Sequence, residues 1–223
     1  THMLLLNSPA IDAGNSTASF YGDIGYHFPL QALTVSALGG IKNGSSAGPS
    51  ATSSTLNSPL GVTTVGAQSY TGALTLNADT RLSTSNSPIS FSDSIDSYTS
   101  GDPRSLSVNA GTSTVRFGGS IGEIAALNNL EVIANGGIIG GAIGGAIGGN
   151  SSGSVTTVGA QRYTGAVILN SDIRLSTSNS PIWFSESIDS DGLGGPRSLS
   201  VNAGTSTVRF GGSIGAVAAL NNL

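Results

Sequence analysis

The chain of 223 residues contains no cysteine. That excludes disulfides, thiolate metal sites and a cysteine nucleophile. Charge is almost as scarce, at 9% of residues with a net charge of −4. Lys42 is the single lysine, and the seven arginines are scattered. Nucleic acids and anionic membranes require clustered cations, so neither is expected as a partner. No run approaches the ~18 apolar residues of a membrane-spanning helix, so no membrane insertion is expected. The start, "THMLLLNSPA", lacks the basic region and length of a signal peptide. Thr1, His2 and Met3 read as the remnant of a cloning tag. Helical periodicity is also missing: no long stretch places apolar residues at a 3.6-residue spacing. Gly and Pro together make 41 residues, below the roughly 25–30% that marks low-complexity chains, and the apolar residues recur at strand spacing.

What the sequence does contain is itself, twice. "PRSLSVNAGTSTVRFGGSIG" begins at Pro103 and again, letter for letter, at Pro196. Residues 62–130 and 155–223 align without a gap at an offset of 93, with 56 of 69 positions identical. Most substitutions are mild, such as Leu74 to Val167 and Ile124 to Val217. Several others gather in "DSYTSGDP" against "DSDGLGGP", as in a drifting surface loop. An echo lies upstream, where "LQALTVSALGGI" (30–41) resembles "LNNLEVIANGGI" (127–138). The stop at Leu223 reads as a cut inside a longer array. The organisation expected is a segment 1–29, the tail of a preceding repeat with a loop over 30–61, a first repeat unit over 62–154 and a second, truncated, over 155–223.

Within each unit, runs of 4–6 residues alternate apolar and polar: "ALTLNADTRLSTS", "PISFSDSID", "SLSVNAG", "STVRFGG", "LEVIANGG". Gly, Asn, Asp, Ser or Pro punctuates them. "IGEIAALNNLEVI" is the one stretch that also suits a helix, and we read it as turn plus strand. Short strands in tandem suit an all-β solenoid in which each turn hydrogen-bonds to the next through parallel ladders around an apolar core. Coils of roughly 19–23 residues would place about 4–5 coils in a unit, about 20 Å at ~4.8 Å per coil. Asn77, Asn109, Asn135 and Asn202 are expected at turns, where Asn tolerates left-handed backbone. Two β-sandwiches of ~90 residues are the rival, but hairpin dipeptides such as Asn-Gly are scarce.

"TTVGAQSYTGALTLNADTRL", followed by "SLSVNAGTSTVRFGGSIG", resembles repeats of very large secreted bacterial proteins of the filamentous-haemagglutinin type. The matching residues are Gln68, Tyr70, Gly72, Ala73 and Leu76, then Leu106, Val108, Asn109, Phe117, Gly118, Gly119, Ile121, Leu127 and Leu130, and their counterparts from Gln161 to the end. The resemblance covers roughly residues 30–223. It implies a right-handed parallel β-helix, exported to the bacterial cell surface and often adhesive. "NSPAIDAGNSTASFYGDIGYHFP" (7–29) is similar to the closing motif of right-handed β-helix proteins related in fold to pectate lyases. There it marks the end of the stack, with Asp12 and Asp23 its conspicuous carboxylates, and it brings no lyase chemistry.

Several side chains invite a chemical reading. Asp93 with Asp96, repeated as Glu186 with Asp189, could pair for calcium or for glycoside hydrolysis. Residues i and i+3 of a strand face opposite sides, and solvated turn carboxylates are the simpler reading. His27, the sole histidine outside the tag, reads as structural rather than as a general base. Arg81/Arg174, Arg104/Arg197 and Arg116/Arg209 keep their places between copies and are expected to cover the outer face and pair with the few carboxylates. "GGIIGGAIGGAIGG" (136–149) is too short to span a bilayer and lacks the Lys-Ser/Thr of a phosphate loop. We read it as an inter-unit loop. Threonine spacing varies from strand to strand, which argues against a regular ice-binding ladder. Tyr70 and Tyr163 recur, and Trp183 replaces Ser90. If Ile89 and Phe91 point inward, Ser90 and Trp183 point out, which makes Trp183 a carbohydrate-contact candidate or a packing residue under a loop.

The sequence thus supports no catalytic, cofactor-binding or metal site and no cofactor. The expected protein is a non-enzymatic structural or adhesive fragment of an extracellular, cell-surface protein. Its expected partners are neighbouring repeats of the parent chain and a host-cell or glycan ligand. The alternative is a carbohydrate-binding or polysaccharide-degrading β-helix.

Overall fold

A computed structural model describes residues 10–12, 18–20, 31–36, 41–43, 60–140 and 152–223. Among them there is no helix, and every strand pairing is parallel. The protein is a β-solenoid of about six turns with three faces. Its strands begin with β1 (Ala10–Asp12), β2 (Ala18–Phe20), β3 (Leu33–Ser36) and β4 (Ile41–Asn43). The first three-sided turn is β5 (Leu60–Thr64), β6 (Gln68–Thr71) and β7 (Leu74–Leu76). The second is β8 (Thr80–Thr84), β9 (Ile89–Phe91) and β10 (Ile95–Ser97). The third has β11 (Leu106–Asn109) and β12 (Thr114–Phe117), with an isolated bridge at Ile121 on its third side. Next come β13 (Leu130–Ile133), β14 (Gly137–Gly140) and β15 (Gly153–Thr157), then β16 (Gln161–Thr164), β17 (Val167–Leu169) and β18 (Ile173–Thr177). The sixth turn is β19 (Ile182–Phe184), β20 (Ile188–Ser190) and β21 (Leu199–Asn202), and β22 (Val208–Phe210) opens another.

Alternation within each strand decides what goes inside. On the first face the inward ladder runs Val62, Leu82, Val108, Val132, Tyr163, Phe184, Phe210, one residue per turn and in register. On the second it runs Val35, Tyr70, Phe91, Phe117. Like stacks on like, so each turn buries the apolar face of its neighbour, and a single core cluster runs the length of the stack. Rings continue the pattern: Tyr70, Phe91 and Phe117 stack with centroids 5.2 and 5.3 Å apart, and Tyr163, Phe184 and Phe210 with centroids 5.1 and 5.3 Å apart. Each such pair contributes about 0.5–1.5 kcal/mol beyond its buried area.

Some turns match the 19–23 residues expected, such as the 21 from Tyr163 to Phe184, and others are longer. From Val62 to Leu82 a turn takes 20 residues, but from Leu82 to Val108 it takes 26, and from Val132 to Tyr163 it takes 31. The offset of 93 between the two sequence copies therefore corresponds to three turns and two further faces, not to 4–5 coils. The consequence is visible strand by strand. β6 lies on the second face, and its sequence twin β16 on the first. β8 lies on the first face, and its twin β18 on the third. The second copy is displaced by one face throughout, yet repeats the same pairings: Gln68 to Ile89 becomes Gln161 to Ile182, and Tyr70 to Phe91 becomes Tyr163 to Phe184. The upstream echo obeys the same rule, since Val35 pairs Tyr70 as Val132 pairs Tyr163.

Candidate functional site

The motif around Gln68 and Tyr70 is a buried corner. Gln68 is 1% exposed, and its side chain closes a hydrogen-bond network. Tyr70 donates its hydroxyl to Gln68 Oε1 at 2.9 Å, and Gln68 Nε2 donates to the Ser83 carbonyl at 2.8 Å and to Thr64 Oγ1 at 3.3 Å. Gln161 and Tyr163 repeat this with the Ser176 carbonyl and Thr157 Oγ1. Burial pushes both tyrosine hydroxyls far above their ordinary range, so they remain protonated donors. These residues hold one turn to the next and offer nothing to a ligand.

The proposed carboxylate pairs do not form. Asp93 is exposed, and its Oδ1 accepts from the Ser94 amide at 2.7 Å. Asp96, read from sequence as a solvated turn residue, is buried at 8% exposure. Its Oδ1 accepts from the amides of Ile124 and Ala125 at 2.9 and 3.2 Å, one turn away. Asp189 does the same for Val217 and Ala218, while Glu186 is exposed. Among the described residues no cluster of acids and histidines could hold a metal ion. Asp79 and Asp172 likewise accept from backbone amides of the following turn, those of Ser105 and Ser198, both at 2.8 Å. These carboxylates act as staples between turns.

Of the asparagines expected at turns, Asn77 lies in the bend after β7 and Asn135 in the turn before β14, whereas Asn109 and Asn202 are the last residues of β11 and β21. Among the described non-glycine residues, the two with left-handed backbone are Asn86 and Asn179, at φ 60° and 59°. Each points its Oδ1 at the next turn, accepting from the amide of Thr112 or Thr205 at 3.0 Å. Asn109 and Asn202 instead accept from Gly111 and Gly204 within their own turns, at 2.9 Å. The arginines were expected to pair with carboxylates. Among the described residues one ion pair forms, Arg197 with Asp191 at 3.7 Å. Arg81, Arg116, Arg174 and Arg209 are exposed. Of 136–149, Gly136 lies in the turn before β14, Gly137–Gly140 form β14, and 141–149 lie outside the described residues, as do His27 and Asp23.

Trp183 is 38% exposed on the outer side of β19, between the buried Ile182 and Phe184, as alternation requires. Its register neighbours are Arg162 on β16 and Arg209 on β22. The Arg162 guanidinium carbon lies 6.0 Å from the centre of the indole. With Thr164, Ser185 and Gly211 these side chains border an open groove of roughly 510 Å³ on the first face. Neither flanking arginine was singled out by the sequence in this connection. Arg162 has no twin among the conserved arginines, because Ser69 stands at its position in the first copy. Comparison with protein families, with curated proteins and with solved structures finds no match to this chain.

Proposed function

We propose that this chain is a rod-forming module of a large extracellular bacterial surface protein of the filamentous-haemagglutinin type, whose work is structural and adhesive rather than catalytic. One observation carries the reading: the same sequence serves on different faces of the stack while keeping its register. A unit that fits on any face can be added at either end of another unit, so length grows by duplication without a new folding problem. An active site would gain nothing from being copied onto a second face. A rod gains reach with each copy, and its sides become available to host-cell or glycan ligands.

The test is to insert one further copy of residues 62–154 between Ser154 and Val155. Three turns and two faces at ~4.8 Å per turn lengthen the particle by about 18 Å at constant cross-section. Small-angle scattering and electron microscopy read both dimensions. A particle that thickens, or gains a separately unfolding domain, rejects the rod.

A further inference from the structure

We propose that Arg162, Trp183 and Arg209 form a binding ladder for an acidic saccharide chain lying along the axis of the stack. The three side chains occupy successive rungs of the first face and all point outward. The two arginines stand two rungs apart, ~10 Å along the axis at the backbone, with Trp183 on the rung between and the Arg162 guanidinium leaning towards one face of its indole. Neither is within ion-pair distance of a carboxylate among the described residues. On the rung before Arg162 stands Glu131, whose Oε2 accepts from Ser107 Oγ at 3.3 Å; it ends the cationic stretch on that side. An exposed indole accepts the C–H face of a sugar ring, and flanking guanidiniums bind carboxylate or sulfate in charge-assisted pairs. A saccharide with an anion on alternate sugars matches this order of cation, ring, cation. Nucleic acid fits less well, because two isolated arginines on a chain of net charge −4 do not make the basic patch that phosphates require.

Divergence between the copies supplies the second observation. Only 13 of the 69 aligned positions differ. Two of those differences are Ser69 to Arg162 and Ser90 to Trp183, and they fall on adjacent rungs in register. The third rung keeps its arginine, as Arg116 and Arg209. The first copy therefore carries Ser, Ser, Arg on the second face, where the other carries Arg, Trp, Arg on the first. It is an internal control that already folds with serines.

This inference rests on the adhesive half of the proposed function. The rod half is read from particle length, which these side chains do not affect, so the two can fail separately. The experiment is calorimetric titration of the whole chain and of R162S/W183S with four probes: an octasaccharide alternating uronate and neutral sugars, its sulfated counterpart, a neutral glucan of equal length, and oligothymidylate. We expect saturable binding of an anionic saccharide, weakened by salt and at least tenfold weaker in the double variant, with R162S alone intermediate. Preference between the first two probes assigns carboxylate or sulfate. The proposal falls if neither anionic probe binds at millimolar concentration, if the glucan binds equally well, if R162S/W183S binds as tightly, or if oligothymidylate binds more tightly than either saccharide.

Discussion

Asp96 and Asp189 show what a scarce charge does in this chain. Each carboxylate is nearly out of water and faces two backbone amides of the arc one turn away. Removing the acceptor leaves those donors unpaired, which costs about 1–3 kcal/mol. Asp189→Leu is therefore expected to lower stability by that amount in urea denaturation, and Asp189→Asn, which keeps Oδ1, by less. Equal losses would mean that the oxygen is not the staple. Alternation predicted the outward position of Trp183, because Ile182 and Phe184 are apolar on either side. It failed for Asp96: strand spacing sets it outward, and the arc at Ile124 and Ala125, folding over from another turn, takes it out of water. A contact 28 residues away leaves no trace in local pattern.

At the level of the element, the corner built from Gln, Tyr and Thr and the "FGG" arc explain why long stretches remain identical. Gly119 passes so close to the backbone below that an added Cβ would lie 2.5 Å from the Asp93 carbonyl carbon and the Ser94 nitrogen. Gly212 repeats this against Glu186 and Ser187. Backbone cannot yield as a side chain can, so Gly119→Ala must separate two turns, and a destabilisation above 2 kcal/mol, on the order of overpacking, is expected in thermal or urea unfolding. The corner makes a prediction about pH. Tyr70 and Tyr163 hold their protons in the folded state well past the value of about 10 at which an unfolded tyrosine ionises. The unfolded chain therefore releases protons that the folded chain keeps, and stability falls as pH rises above about 10. Gln161→Leu combined with Tyr163→Phe removes one such group and flattens the loss; an unchanged slope of stability between pH 10 and 11.5 would rule the corner out as its source. Strand positions were legible because period 2 is local. Turn length was not, because it is set by connections that range from the tight Thr64–Gln68 corner to the stretch between β14 and β15.

Across the whole molecule the decisive quantity is the mismatch between sequence period and turn. Because the copies differ in position by one face, twin side chains of the described residues do not line up in one stripe along the stack. Identical residues are dealt out around it instead, and the row Arg162, Trp183, Arg209 stays confined to one face. This also requires a segment to fit on more than one face, as the shared pairings of Gln68 with Ile89 and of Gln161 with Ile182 show. A gain-of-function substitution tests that interchangeability. S69R/S90W gives the first copy the outward residues of the second, beside the existing Arg116, but on the second face. These are outward positions, and such changes are usually within about 0.5 kcal/mol. Urea denaturation should therefore find the variant as stable as the parent. If the saccharide ladder is real, calorimetry on the same variant should find two sites of similar affinity where the parent has one. Stable folding without a second site would mean that Arg, Trp and Arg in register are not sufficient, and would overturn the ladder as the binding element. A collapse in stability would mean that the faces are not equivalent, and that the stack tolerates each copy only where it stands.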